Sequence, residues 1–169
     1  MTAELVTGPP WPEGTLVVDL DRLGPVTLED LAGLERRDEA SVGVVRGRCE
    51  GAALAVAVAV DLLVATPGAT FGRAGDWVDV VVRRGTGIVG RKAAAYLTMT
   101  GRAVDADLAR RWGLVSLVAD DPGAAATGLA EEVAARSPVA VATILRQAHR
   151  GAAREYTDAR LTGPPSPGP

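Results

Sequence analysis

Asparagine is absent from this sequence, and histidine, cysteine, lysine and phenylalanine occur once each. Each scarcity closes a class of function. A lone cysteine, Cys49, excludes an internal disulfide. A lone histidine, His149, excludes a histidine-rich metal site and any Ser-His-Asp triad with a second histidine in reserve. There is no long hydrophobic run: the most apolar stretch, Ala52 to Ala65, is interrupted by Asp61 and is too short to span a bilayer. There is no excess of positive charge either. The formal net charge is −3 and gives no electrostatic reason to expect nucleic acid as a partner. Near the start, Glu4 precedes every basic residue and no apolar segment follows. No signal peptide is evident, and a cytoplasmic location is expected. The preference for arginine over lysine, with abundant Ala, Val and Gly, reads as the base composition of the gene rather than as chemistry.

What is present is enough for a core. Apolar residues make up 47% of 169 positions, which suits one domain. Residues 1–13, with Pro9, Pro10 and Pro12, read as irregular. A Gly/Pro tail at 163–169 can form neither helix nor sheet. Between them, Thr15 to Leu20 alternates as a strand, and Thr27 with Asp30 forms a capping box for a helix. Val42 to Val45 and Leu62 to Ala65 read as strands. The run from Ala55 to Val60 alternates Ala with Val, which carries little periodic information because both are apolar. Gly51 at its start and its length predict a buried helix from Gly51 to about Leu62. Gly90 to Met99 predicts a helix stopped at Gly101. Asp105 caps a short helix ended at Gly113, and Leu114 to Val118 is a strand. Gly123 to Ala135 is a helix, and Ser137-Pro138 opens another that runs to about Tyr156. The class is α/β.

Few side chains are placed for chemistry. Glycines 85, 87 and 90 do not form a phosphate loop, since Lys92 is not followed by Ser or Thr. Cys49 reads as a packing residue. His149, between Arg146, Gln147 and Arg150, reads as a solvated helix residue. Two carboxylate pairs remain: Glu50 and Asp61 flank the apolar segment, and Asp76 and Asp79 flank Trp77. Such pairs do acid–base work if the fold gathers them and desolvates one. Otherwise they are loop carboxylates facing water.

An ordered set of short motifs covers about two-thirds of the chain. Val45-Arg46-Gly47 is followed by Gly51-Ala52-Ala53, Asp61, Ala65, Ala69 and Phe71-Gly72. Then come Val89-Gly90-Arg91-Lys92-Ala93, Leu97, Thr100-Gly101-Arg102, Ala109, Trp112-Gly113-Leu114-Val115 and Ser137-Pro138. Together these resemble the crotonase (enoyl-CoA hydratase/isomerase) family, and the spacing from Gly47 through Asp61 to Phe71 matches without a gap. The resemblance implies a truncated spiral of ββα turns with C-terminal helices, as one domain over 1–162. It implies an acyl-CoA or acyl-carrier thioester as substrate, no bound cofactor or metal, and assembly as a homo-trimer or hetero-complex. It also implies an oxyanion site at Gly51 and Ala52, where a backbone N–H at the start of a helix polarises the thioester carbonyl.

The departures from the family pattern are as informative. The family's first catalytic glutamate falls on Ala55. Its second falls on Gly75, or on Trp77 if a small insertion is allowed. Neither can move a proton, so hydration is not expected, and Asp76, with Asp79 beside it, becomes the candidate acid–base group. Phe71-Gly72-Arg73-Ala74-Gly75 is similar to the F-G-Q-T-G of dihydroxynaphthoyl-CoA synthases, where bicarbonate can replace the glutamate. Their downstream aspartate, however, is matched here by Val82. The long segment bearing A-G-A-D, which supplies the family's second oxyanion donor, is reduced to the residues between Leu34 and Val42. Two expectations stand side by side: an enzyme acting on an acyl thioester in specialised metabolism, or a non-catalytic crotonase-fold subunit that assists a partner. In either case Trp77 to Val82 is expected to form an apolar patch that needs covering.

Overall fold

The structure is a computed structural model and describes residues 4–8 and 13–161. Five strands form one all-parallel sheet in the order β1 (Glu4–Val6), β2 (Leu16–Asp19), β3 (Ser41–Val45), β5 (Leu62–Ala65) and β8 (Leu117–Val118). A smaller sheet joins β4 (Arg48–Cys49), β6 (Thr70–Phe71) and β7 (Val104–Asp105). The helices are α1 (Leu28–Glu35), α2 (Ala52–Ala57), α3 (Val78–Thr100), α4 (Ala106–Arg111), α5 (Pro122–Ala134) and α6 (Pro138–Leu161).

The large sheet is buried on both faces, which is why its strands read as unbroken apolar runs. Side chains alternate across a strand. Val17, Val42, Val44 and Val64 therefore point one way, onto Ala126 and Ala130 of α5. Leu16, Val18, Leu63 and Ala65 point the other way, into the larger core with α1, α2 and Phe71. Gly43 sits on that crowded face: a Cβ there would lie 2.7 Å from Leu63 Cδ1 and 3.1 Å from Val60 Cγ2.

The segment from 51 is helical as expected but shorter: the helix stops at Ala57, residues 58–61 turn, and Leu62 already belongs to β5. α2 covers Ala52–Ala57, and Leu54 through Val60 are buried. Alanine's helix preference and the all-round apolar surface make it a core helix. The Thr27–Asp30 capping box is present in both directions, and Asp105 accepts from Leu108 N–H at the head of α4.

Several expectations need correction. The strand expected over 114–118 is confined to Leu117–Val118. Residues 4–6, read as irregular, add a parallel edge strand to β2; the other N-terminal positions, 1–3 and 9–12, and the tail call at 163–169 lie outside the described residues. Residues 78–89 form a helical segment ahead of the expected one, and the two meet at a break at Gly90 (φ 79°, ψ 158°). Three consecutive valines and two glycines argue against helix locally. Burial of Val80, Val81 and Gly85 against the end of α2 overrides that preference. For the same reason the expected patch at 77–82 is only partly at the surface. Trp77 is half-buried on the main core and Val80 and Val81 are buried, leaving Val78 and Val82 partly exposed. The prominent exposed apolar side chains are elsewhere, at Leu28, Met99, Val139 and Ile144.

Candidate functional site

Three places in the fold could do chemistry. The first is the start of α2. Gly51 takes φ 56° and ψ −125°, a conformation that favours glycine. Its N–H donates to the Arg73 carbonyl at 2.9 Å, and Gly72 N–H donates to Cys49 O at 3.2 Å. These bonds lay the segment 72–77 alongside the helix start. Ala52 is the first residue of α2, so its N–H has no acceptor within the helix. Gly75, also at positive φ (56°), opens the short 3₁₀ turn Gly75–Trp77 on that segment. The fold thus places Gly51 and Ala52 on one strand of chain and Gly75, Asp76 and Trp77 on the segment bonded to it. Asp76 is exposed. Asp79 is exposed as well and is ion-paired with Arg83 one turn along α3. Ala55, where the family's first glutamate would stand, is 0% exposed. Cys49 is buried, and burial, then Asp21 and Glu50, push its thiol far above the usual range, which keeps it from serving as a thiolate.

The second place is a polar hollow of about 540 Å³ where β2 and β3 end, lined by Asp19, Asp21, Arg22, Arg46 and Gly47. Asp21 accepts from the backbone N–H groups of Arg46 (2.7 Å) and Gly47 (2.8 Å). Arg46 Nη1 is 3.2 Å from the buried Asp19 and 3.5 Å from Asp21. Of the hollow's two cations, Arg46 is taken up by these carboxylates.

The third is a cleft of about 1060 Å³ at the opposite end of α2, between α1, α3 and α6. Its polar centre is Asp61. One carboxylate oxygen accepts from Ser41 N–H (2.8 Å) and Ser41 Oγ (2.7 Å); the other lies 3.1 Å from His149 Nε2. This is not a nucleophile triad. Asp61 stands between the other two, and Ser41 is buried with its hydroxyl committed to Asp61. His149 is a tether, not the solvated residue its neighbours in sequence suggest. It ties α6 to the α2–β5 turn, and Arg146 ties α6 to Asp38 at 2.7 Å. The only sequence signal for the tether was Asp61 itself. A carboxylate at the end of a buried apolar run needs partners, but nothing local says that one lies 88 positions away.

The His149 pKa is raised. Its hydrogen bond to Asp61 is the largest cause; burial opposes it, and the Asp61 and Glu35 charges and the Glu35 carbonyl add to it. The linkage sign follows. Stabilisation by the pair is fully present below the unfolded histidine value near 6.5 and is lost as pH rises through the higher folded value. The difference in melting temperature between wild type and His149→Gln should therefore be greatest near pH 5–6 and shrink toward pH 9. A difference that grows with pH would show that the imidazolium is not what Asp61 holds.

Among the described residues, no group of three or more His, Cys, Asp or Glu could hold a metal ion, and no helix is long and apolar enough to cross a membrane. Of the sequence-predicted site residues, Asp61 lines the cleft, whereas Glu50, Gly51, Ala52, Gly75, Asp76, Trp77 and Asp79 line neither hollow.

Comparison with known proteins gives these features a context. A family model described as enoyl-CoA hydratase/isomerase matches residues 26–162. Mevalonyl-coenzyme A hydratase of Beauveria bassiana is 33% identical over 108 residues, 59% of this chain and 39% of that protein. An enoyl-CoA-hydratase of Amycolatopsis orientalis is 33% identical over 105 residues, 60% of this chain and 48% of that protein. The chain thus spans less than half the length of these relatives. Among solved structures, a monofunctional enoyl CoA isomerase from M. smegmatis superposes with a TM-score of 0.71 at 24% identity, covering 82% of this chain and 71% of that one.

Proposed function

Because the chain belongs to the enoyl-CoA hydratase/isomerase family, we propose that it binds an acyl thioester, on CoA or on a carrier protein, at the start of α2. There the Ala52 N–H would stabilise negative charge developing on the thioester oxygen. The observation that carries this reading is the geometry of the helix start. Gly51 turns the chain so that the first N–H of α2 has no acceptor within the helix, while its own N–H anchors the 72–77 segment alongside. On that segment Asp76 is the candidate acceptor for an α-proton. Its carboxylate is exposed, and a bound substrate would have to cover it for proton transfer from the thioester α-carbon.

Hydration needs two positioned proton-transfer groups. Ala55 is sealed in the core and Gly75 has no side chain, so the reading stops at enolate chemistry. Purified protein should hydrate crotonyl-CoA at the background rate. In D₂O it should exchange the α-protons of propionyl-CoA faster than background, as followed by proton NMR, and Asp76→Asn should remove most of that exchange. Hydration that survives Asp76→Asn would place the active group elsewhere.

A non-catalytic subunit that assists a partner, in a homo-trimer or hetero-complex, is the second reading. It is favoured by the sealed Ala55 and by Met99 and Val139, apolar side chains 84% and 74% exposed. Saturable thioester binding without any α-proton exchange supports it over the first. No thioester binding at all removes the premise of the first.

A further inference from the structure

The cleft between α1, α3 and α6 lies at the far end of α2 from Ala52, and the thioester reading makes no use of it. Its volume, about 1060 Å³, matches the upper end of small-molecule clefts, roughly 300–1,000 Å³. Its floor is apolar and comes from the chain's own core, with Val58, Val60 and Leu145 all buried. Its mouth is unusually greasy: Ile144 on α6 and Leu28 on α1, both lining it, are 66% and 60% exposed.

The charges at the mouth are not balanced. Glu35 is taken by Arg84, Asp61 by His149 and Ser41, and Arg83 pairs away from the cleft with Asp79. Arg136, at the foot of α5, is exposed and forms no ion pair among the described residues. The lining therefore offers an apolar trough with one uncompensated cation at its rim. From this we infer that the cleft is a binding site for an amphipathic monoanion: an unbranched carboxylate whose alkyl chain lies along the floor and whose head group meets Arg136. The occupant is a free fatty acid of medium length, distinct from the thioester at the other end of the helix. Arg136 alone is a rim charge that contributes modestly in water; the alkyl chain supplies most of the affinity and Arg136 the choice of head group.

Isothermal titration of the full chain with octanoate, decanoate and dodecanoate, below their micelle concentrations, tests this. One saturable site is expected, with affinity rising about two- to fourfold per added methylene. 1-Decanol should bind at least about threefold more weakly than decanoate at 50 mM salt. Arg136→Gln should make the two bind alike without abolishing either. Ile144→Glu, which adds a negative charge at the rim, should weaken decanoate binding at least about tenfold while unfolding at the wild-type temperature. Both substituted positions are exposed, so folding is not at risk. Three results would overturn the proposal. One is the absence of saturable binding. Another is equal affinity of the wild type for decanoate and decanol. The last is decanoate binding that Ile144→Glu leaves intact, since that ligand would be sitting elsewhere, the α2 start included. If light scattering instead shows a dimer that Ile144→Glu dissociates, and no carboxylate binds, the cleft belongs to a second copy of the chain.

Discussion

Ala55→Glu should destabilise the protein by about 5 kcal/mol and restore no hydratase activity. The substitution puts a glutamate at the position the family uses, so the naive expectation is a gain of function. Ala55 is 0% exposed, on the inner face of α2. A carboxyl buried there stays protonated at pH 7, and holding it neutral against an unfolded value near 4.3 costs about 4 kcal/mol. Overpacking adds about 1–3 kcal/mol. The sign can be checked by pH. The folded pKa is raised above about 7, so the ionisation part of the penalty is about 4 kcal/mol at pH 7 and vanishes below about pH 4. Ala55→Leu controls for volume and should cost only the packing part. Urea unfolding of the three proteins at pH 7 and pH 4.5 measures both. An Ala55→Glu protein within about 1 kcal/mol of wild type would mean that solvent reaches this face of α2, and the case against hydration would have to be reopened.

Gly72→Ala should cost about 3 kcal/mol, at the upper end for a small overpacking change. The added Cβ would lie 2.8 Å from Ala103 Cα, 3.1 Å from its N and 3.2 Å from Arg102 O. These are backbone atoms, so no side chain can turn aside, and the 102–103 segment would have to leave β6. That would disturb the Phe71↔Val104 pairing. Gly43→Ala is the informative comparison. Its nearest contact is equally short, but it is with the end of the Leu63 side chain, which has other rotamers. Gly43→Ala should cost less than half as much. Thermal or urea unfolding of both variants decides this, and equal costs would show that the core face around Leu63 is as rigid as the backbone.

Much of this fold was legible in the sequence because local and global signals agreed. The Thr27–Asp30 box, Asp105 and the apolar runs 42–45 and 62–65 each point to the element found there. So does the family spacing from Gly47 to Phe71, which placed α2 where periodicity was silent. Legibility failed where a long-range contact decided the outcome. Val78 to Val89 is helical because the end of α2 packs on it, and strand 4–6 exists because β2 has a free edge. Of the candidate site, the α2 start could be read from Gly51-Ala52, since backbone donors depend on chain geometry. The cleft and the His149 tether could not. They are made by side chains from five elements, and their shared property is position in space.

The shortened connection between α1 and β3 reaches beyond the site. β2 and β3 pair in parallel, Leu16 with Ser41 and Asp19 with Val44, through one helix held within residues 20–40. Lengthening such a loop twofold costs only about 0.6 kcal/mol, so the gain in stability from shortening it is small. The effect is on time. Parallel pairings are slow to form because the ends of a long crossover must first meet; here they are already near neighbours along the chain. The β2–α1–β3 unit, its partners 25 positions apart, therefore joins β1–β2 (12 apart) and β3–β5 (20 apart) among the low-cost pairings of the sheet. β5 and then β8 can add to an edge that exists before the rest of the chain has settled.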